Sequence, residues 1–502
     1  MKTFEELEIW FATGSQHLYG DHSLQQINKD SMEIVNGLNA CASIPVNVVF
    51  KPVLTTANAI TQICQEANSH QKCIGLITWM HTFSPAKMWI AGLQLLKKPL
   101  LHLHTQFNRD IPYADIDIDF MNLNQSAHGG REYGYIVSRL RKNRKVVVGH
   151  WQDDEVRTRL SVWMRAAAAW NDWQNGKVVR FGDNMREVAV TEGDKVEAQI
   201  QFGYSVSGFG TDELFKSIKA VEESDVARLV ETYIERYTVE SAGLPGGEAH
   251  TSVRLQARYE LGIRNFLKQG NFTAFTTTFE DLSSLEQLPG LAIQRLMEQG
   301  FGFGAEGDWK HAALVRALKV MGYGLPGGTS FMQDYTYHLD PKGMKVLGGH
   351  MLEICPTLSK EKPKLKVHRV GIGGKGDPAR LEFMVPDGRG VNASLIDVGS
   401  RFRMIVNSIE VVTPDADFPK LPVTRAMWKP MPDLQTGAAA WILAGGAHHT
   451  AFSMSIGREY LEDFAEMADI ELIVIDESTT VADIKKELRW NDVYYFLAKG
   501  VR

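Results

Sequence analysis

The first third of the chain alternates two kinds of segment. Short apolar runs, ELEIWFAT, IPVNVVFKPV, CIGLITWM and KPLLHLHT, take turns with longer amphipathic ones, QQINKDSMEIVNGLNA, NAITQICQEANS and SPAKMWIAGLQLL. Strand-sized and helix-sized pieces in alternation predict βαβ units and a parallel sheet covered on both faces. The pattern continues through KVVVGHW, a long helix around SVWMRAAAAW, and KVVRFGD, so a first α/β domain is expected over residues 1–177. Residues 178–328 are helix-rich, with TDELFKSIKAVEESDVARLVETYIERY and SVRLQARYELGIRNFLKQG around strands such as FTAFTTTF, and read as a second α/β domain. Over residues 329–502 the runs become short strands separated by turns such as PDGRG and DVGS, before a last helix, VADIKKELRWNDVYYFLA. Hairpin turns between short strands predict an antiparallel sheet or barrel.

Charge narrows the partners. The 502 residues carry 54 Lys and Arg against 60 Asp and Glu, without long single-sign runs. There is no basic stripe for nucleic acid and no polybasic membrane anchor, so the expected partners are small neutral molecules or other protein chains. Four cysteines, Cys41, Cys64, Cys73 and Cys355, show no CxxC spacing, which fits a reducing cytoplasm. The start, MKTFEELEIWF, has acids where a signal peptide needs an apolar core, and no apolar run approaches the ~20 residues that span a bilayer. A soluble cytoplasmic protein is expected.

Candidate chemistry lies in the last two thirds. Gly302 to Gly307, GFGAEG, matches GxGxxG by letter and raises an NAD-dependent oxidoreductase as an alternative. The preceding LPGLAIQRLMEQG has helical periodicity, however, whereas that fingerprint needs a strand feeding the turn. The same segment reads better through Glu306, a carboxylate among small residues near a helix start, where the ionised form is favoured. His350 in KVLGGHMLEIC and the pair His448-His449 in WILAGGAHHT each follow two glycines, which leave room for a metal or substrate. Strand alternation lets at most one of His448 and His449 face a given site, and turns Glu353 away from the face of His350. A lone strand histidine is more often structural, but two flanked by glycines, with a carboxylate, point to a mixed nitrogen and oxygen site. Such a site suits Mn2+ or Co2+ better than thiolate-bound zinc. In FMQDYTYH, alternation places Gln333 and Tyr335 on one face and Asp334 and Thr336 on the other.

The stretches GSQHLYG, HTFSPAKMWI, MNLNQSAHGGRE, FGDNMREVAVT, TTTFEDL, AEGDWK, GTSFMQDYTYH, GIGGK and GGAHHT, in this order, resemble the L-arabinose isomerase family over essentially the whole chain. The resemblance implies an α/β protein with two Rossmann- or flavodoxin-like domains followed by a C-terminal antiparallel β-barrel-like domain. It implies a homohexamer that interconverts L-arabinose and L-ribulose in arabinose catabolism, with Mn2+ as cofactor. The family's metal-binding carboxylates fall on Glu306 and on position 333, and its metal-binding histidines on His350 and His449. Its substrate pocket implies Gln16, Leu18, Tyr19, Phe83, Gln125, His128, Met185, Phe279, Met351 and Ile372, some reaching the site from a neighbouring subunit. Position 333 departs from the family: glutamine stands where the second catalytic carboxylate is expected. An amide has no basic site near neutral pH, so the implied isomerase is expected to be severely impaired. A sugar-binding relative without catalysis is the other reading of that departure.

Overall fold

A computed structural model describes residues 4–371 and 374–500. Ile372, one of the expected pocket residues, lies outside the described residues. The chain divides into two compact units, one running through Asn171 and including Glu462–Asp469, the other comprising Asp172–Leu461 and the chain from Ile470 onward.

In the first unit β1 (Glu8–Gly14), β2 (Asn47–Phe50), β3 (Cys73–Met80), β4 (Leu100–His104) and β5 (Lys145–Val148) form a parallel sheet in the order β2-β1-β3-β4-β5. Every residue of β3 is buried, which is why CIGLITWM is apolar without alternation. The helix Ala57–Ser69 starts where Thr56 accepts a hydrogen bond from the Ala59 amide. Strand order reverses between β1 and β3, and at such a switch the loops leaving the carboxyl ends of the strands part to open a crevice.

The second unit contains a parallel sheet, an antiparallel barrel and a small three-stranded sheet. Its first strands are β6 (Lys177–Phe181), β7 (Ser205–Phe209), β8 (Thr238–Val239), β9 (Ala274–Thr277) and β10 (Gly302–Ala305). The parallel sheet runs β10-β9-β6-β7. The next strands are β11 (Thr329–His338), β12 (Lys345–Gly349), β13 (Lys364–Val367), β14 (Ala379–Glu382), β15 (Gly388–Asp397), β16 (Phe402–Val412), β17 (Arg425–Pro430), β18 (His449–Ser453) and β19 (Glu471–Ile475). Strands β14, β13 and β8 form the small sheet.

The order β15-β18-β11-β12-β17-β16, with β16 pairing back onto β15, closes a six-stranded antiparallel barrel, and β19 runs parallel to β16. The β15–β16 hairpin turns at the expected DVGS, where Gly399 takes a φ of 82°. Met332, Val346, Ile409, Trp428 and Phe452 pack together as its core. One expectation fails along β11. The pairing with β12 slips between Asp334 and Thr336, so Tyr335 is the extra residue of a bulge and strict alternation stops before it.

Candidate active site

The segment GFGAEG is a strand and its exit turn. A Cβ on Gly302 would meet the Ala312 carbonyl oxygen, and one on Gly304 the Asp308 carbonyl oxygen. These glycines therefore let the helix Trp309–Met321 pack onto β10. They lie inside the strand, not in a phosphate-binding turn after it, which removes the physical basis of the NAD reading.

Beyond β10 the chain turns through two left-handed residues, Glu306 at φ 62° and Gly307 at φ 84°. A left-handed glutamate is uncommon and is held here by its surroundings, including the Met185 amide, which donates to the Glu306 carbonyl at 3.0 Å. The adjacent Asp308 caps the helix, accepting from the His311 amide at 3.1 Å.

Register in the barrel assembles the other groups. Strand β11 lies between β18 and β12, and Gln333 sits opposite both His449 and Gly349. Directly opposed residues share a face, so Gln333 and His449 are side by side. His350 follows Gly349 immediately. The Phe331 ring lies beneath, with centroids 5.0 Å from His449 and 5.3 Å from His350. Glu306 completes the group, its Oε2 3.3 Å from His449 Nε2 and 3.9 Å from His448 Nε2. Both histidines of the pair thus reach Glu306, contrary to the alternation argument. His448 precedes the first residue of β18 and is not bound by the pleat. Asp334, by contrast, lines a cavity inside the barrel with Tyr337, Asn392, Asn407 and Trp428, and burial pushes its carboxyl up to about 7.

His449 and His350 are each oriented by a carboxylate. The buried Asp308 Oδ2 accepts from His449 Nδ1 at 2.9 Å and from His311 Nδ1 at 2.7 Å, while Ser394 Oγ lies 3.0 Å from His311 Nε2. His350 Nδ1 hydrogen-bonds Glu353 Oε2. This corrects the expectation that Glu353 faces away, because β12 ends at Gly349 and the two residues flank a bend at Met351 and Leu352. In both cases Nδ1 is engaged and Nε2 is the nitrogen left for a ligand. His449 Nε2 is buried and makes no hydrogen bond, although Glu306 lies close.

The electrostatics call for positive charge. Burial would raise Glu306, but His448 and His449 outweigh it and hold the carboxyl well below its ordinary range. Burial would likewise raise Asp308, yet His311 and Lys310 keep it strongly depressed. For His449 burial opposes the charged form, and the flanking Asp308 and Glu306 overcome it, lifting the imidazole to about 9. Among the described residues, Glu306, His448 and His449 bring ligand atoms close enough together to hold one ion. Asp308, His311 and His449 do so too, but their Nδ1 atoms already share Asp308, which makes that trio a supporting network.

The expected substrate residues fall into two groups. In the second unit Met185 and Phe279 sit on the loops after β6 and β9, which are clasped by Arg186 with Glu280 at 3.0 Å and Asp281 at 3.3 Å. Met351 follows His350 directly. In the first unit the loops at the β1/β3 switch gather the rest. Gln16 opens the turn His17–Tyr19, which carries the exposed Leu18. Gln125 Nε2 donates to the Tyr19 hydroxyl at 3.0 Å, Gln125 Oε1 lies 2.9 Å from His128 Nδ1, and His128 stacks on Phe83 at 4.6 Å. Behind them Ser15 and Thr82 hydroxyls join β1 to β3 at 2.8 Å, and the buried His81 bonds Asp30 at 2.9 Å.

Comparison with known proteins matches three family models along the chain. These are the L-arabinose isomerase N-terminal domain over residues 3–175, its central domain over 177–324 and its C-terminal domain over 328–471. The L-arabinose isomerase of Herpetosiphon aurantiacus is 59% identical over 501 residues, all of both chains. That of Geobacillus stearothermophilus is 60% identical over 99% of each chain, and that of Thermotoga sp. strain RQ2 56% over 99% of this chain. The chain belongs to the L-arabinose isomerase family. As a member of the L-arabinose isomerase family it is an enzyme of the aldose-ketose isomerase class. Asp308, His311 and Phe331 escaped the sequence reading of this isomerase, because their roles arise from contacts across elements far apart in the chain. Asp308 alone had a local signal, as the polar residue just ahead of a helix.

Proposed function

We propose that this chain interconverts L-arabinose and L-ribulose, and D-galactose and D-tagatose, by moving the sugar carbonyl between C1 and C2. The observation that carries the reading is the meeting of Glu306, Gln333 and His449, with the buried His449 Nε2 3.3 Å from Glu306 Oε2 and His350 directly after Gly349, which lies opposite Gln333. We assign Mn2+, one per subunit and replaceable by Co2+, to these four residues, whose imidazole nitrogens and side-chain oxygens suit such a cation. When bound, the cation supplies stabilisation of the negative charge that develops on O1 and O2 of the enediolate.

The remaining steps belong to the chain itself. Glu306, kept ionised, is the group able to exchange a proton with the substrate. A second carboxylate would act as its partner, the two exchanging acid and base roles between the forward and reverse directions. Gln333 keeps the size and carbonyl oxygen of that partner and can hold the pocket's shape or donate to a sugar hydroxyl, but it cannot take a proton. Asp334 does not replace it, since its carboxyl lines the barrel interior. Turnover is therefore low.

The test is Gln333→Glu assayed for L-ribulose formation with added Mn2+. Regaining a positioned base raises the rate about 10²- to 10⁴-fold. An unmodified chain already as fast as the variant sinks the proton-transfer role of position 333. The same amide supports a second reading, a sugar-binding relative without catalysis. Calorimetry with L-arabinose decides between them alongside the assay, because a binding protein gains no turnover from Gln333→Glu. In either reading the chain works in the cytoplasm as a homohexamer. Among the described residues no helix is long and apolar enough to cross a membrane.

A further inference from the structure

The helix Val481–Gly500 is apolar on two sides of its second half. Its inner side is accounted for. Ile484 and Leu488 join the cluster with Ile405, Ala440 and Ile473, Asn491 donates to Glu471 at 3.0 Å, Arg401 bonds Asp492 at 2.7 Å, and the Arg401 guanidinium lies 4.9 Å from the Tyr495 ring. The outer side carries Trp490, Val493, Tyr494 and Leu497, exposed by 63%, 49%, 63% and 54%, with Phe496 beside them at 80%. A helix that is apolar all round is one that is buried all round.

We propose that this outer face is covered by the same face of a second copy of the chain, the two helices running antiparallel about a two-fold axis. The inference rests on the oligomeric part of the proposed function and locates one of its contacts. Two observations carry it. The first is area: three largely exposed rings with Val493 and Leu497 present roughly 600 Å² of apolar surface. That is the upper limit of the about 300–600 Å² patch found on monomers, and most of the about 800 Å² that each partner gives to a standard interface. Ile442 and Leu443 are also exposed, on the helix Leu434–Leu443 that packs against this one.

The second is symmetry. The positions 490, 493, 494 and 497 are spaced symmetrically about the point between Val493 and Tyr494, so an antiparallel pairing there sets an apolar residue against an apolar residue at each level. An isologous contact needs such self-complementarity. A two-fold at that point sets Trp490 against the partner subunit's Leu497, and Val493 against the partner subunit's Tyr494.

The experiment measures molar mass by light scattering for the full chain and for Trp490→Lys/Leu497→Lys, with circular dichroism as the folding control. The unmodified chain is expected to be an oligomer and the folded double variant to fall to half its mass or less. A folded variant that keeps the full mass overturns the proposal and assigns the face to another occupant, while leaving the oligomeric reading intact. An unmodified chain that runs as a monomer overturns both. Should the double variant fail to fold, Val493→Cys with a short bismaleimide decides. A cross-linked dimer, not formed by the parent chain with its own cysteines, supports the two-fold, and no cross-link overturns it.

Discussion

In the proposed reading, one atom at position 333, an amide nitrogen where a carboxylate oxygen is expected, separates a group that can take a proton from one that cannot. The residues around it make predictions of their own. Glu353 fixes His350 through Nδ1, so at the proposed Mn2+ site Glu353→Gln is expected to weaken that orientation and lower Mn2+ affinity about 10- to 100-fold. Titration calorimetry reads this directly, and an unchanged affinity would remove Glu353 from the supporting set. Away from the site, burial pushes the His102 imidazole down to about 3, with His104 and Arg144 adding to it. The unfolded chain then binds a proton between about pH 6.5 and 3 that the folded chain does not. His102 therefore contributes full stability above about pH 6.5 and loses about 1.4 kcal/mol for each unit below it. Urea midpoints measured from pH 4.5 to 7.5 should fall less steeply for His102→Gln than for the parent chain. Parallel curves would show that His102 does not drive acid unfolding.

At the scale of elements, the site depends on how strands meet. Gln333 is placed by the register of β11 against β18 and β12, and a slip of one residue would carry it to the other face, where Asp334 now sits. Glu306 is placed by β10, whose glycines admit the helix Trp309–Met321. Gly302→Ala puts a methyl group against the Ala312 carbonyl and is expected to cost about 1–3 kcal/mol. A urea midpoint within error of the parent's would show that the helix yields to the extra methyl. Most strands and helices, and the DVGS turn, were legible in the sequence because each has a local signal; β10 was not, since GFGA shows no alternation, and PDGRG runs into β15 where a hairpin turn was expected. The bulge at Tyr335 and the bends that free His448 and Glu353 were not, since nothing local marks where pleating stops.

At the scale of the molecule, the first unit is not continuous in sequence. Residues 462–469 return to it from near the other end of the chain. Within that unit Phe464 packs edge-on to Trp170 at 6.2 Å, Asp463 pairs with Lys145 at 2.5 Å, and the Asn143 side chain donates to the Glu466 carbonyl at 3.1 Å. A fragment of residues 1–177 lacks these partners. Losing a buried phenylalanine alone costs about 3–5 kcal/mol, so the fragment should melt well below the intact chain. A fragment that unfolds at the same temperature as the parent's first unit would show that the returning segment is dispensable.

By itself the sequence determined the class of each region, the turn residues and the list of groups capable of the chemistry, because periodicity, turn preference and functional-group type are local properties of the chain. It also determined that position 333 carries no carboxylate. Only the tertiary structure decided which of these groups meet: Gln333 with His449 through strand register, Glu306 with both histidines across two sheets, and Asp308 and Glu353 as the carboxylates behind them. The physical reason is that hydrogen-bond register and chain closure act between residues far apart in sequence, where no local period reaches.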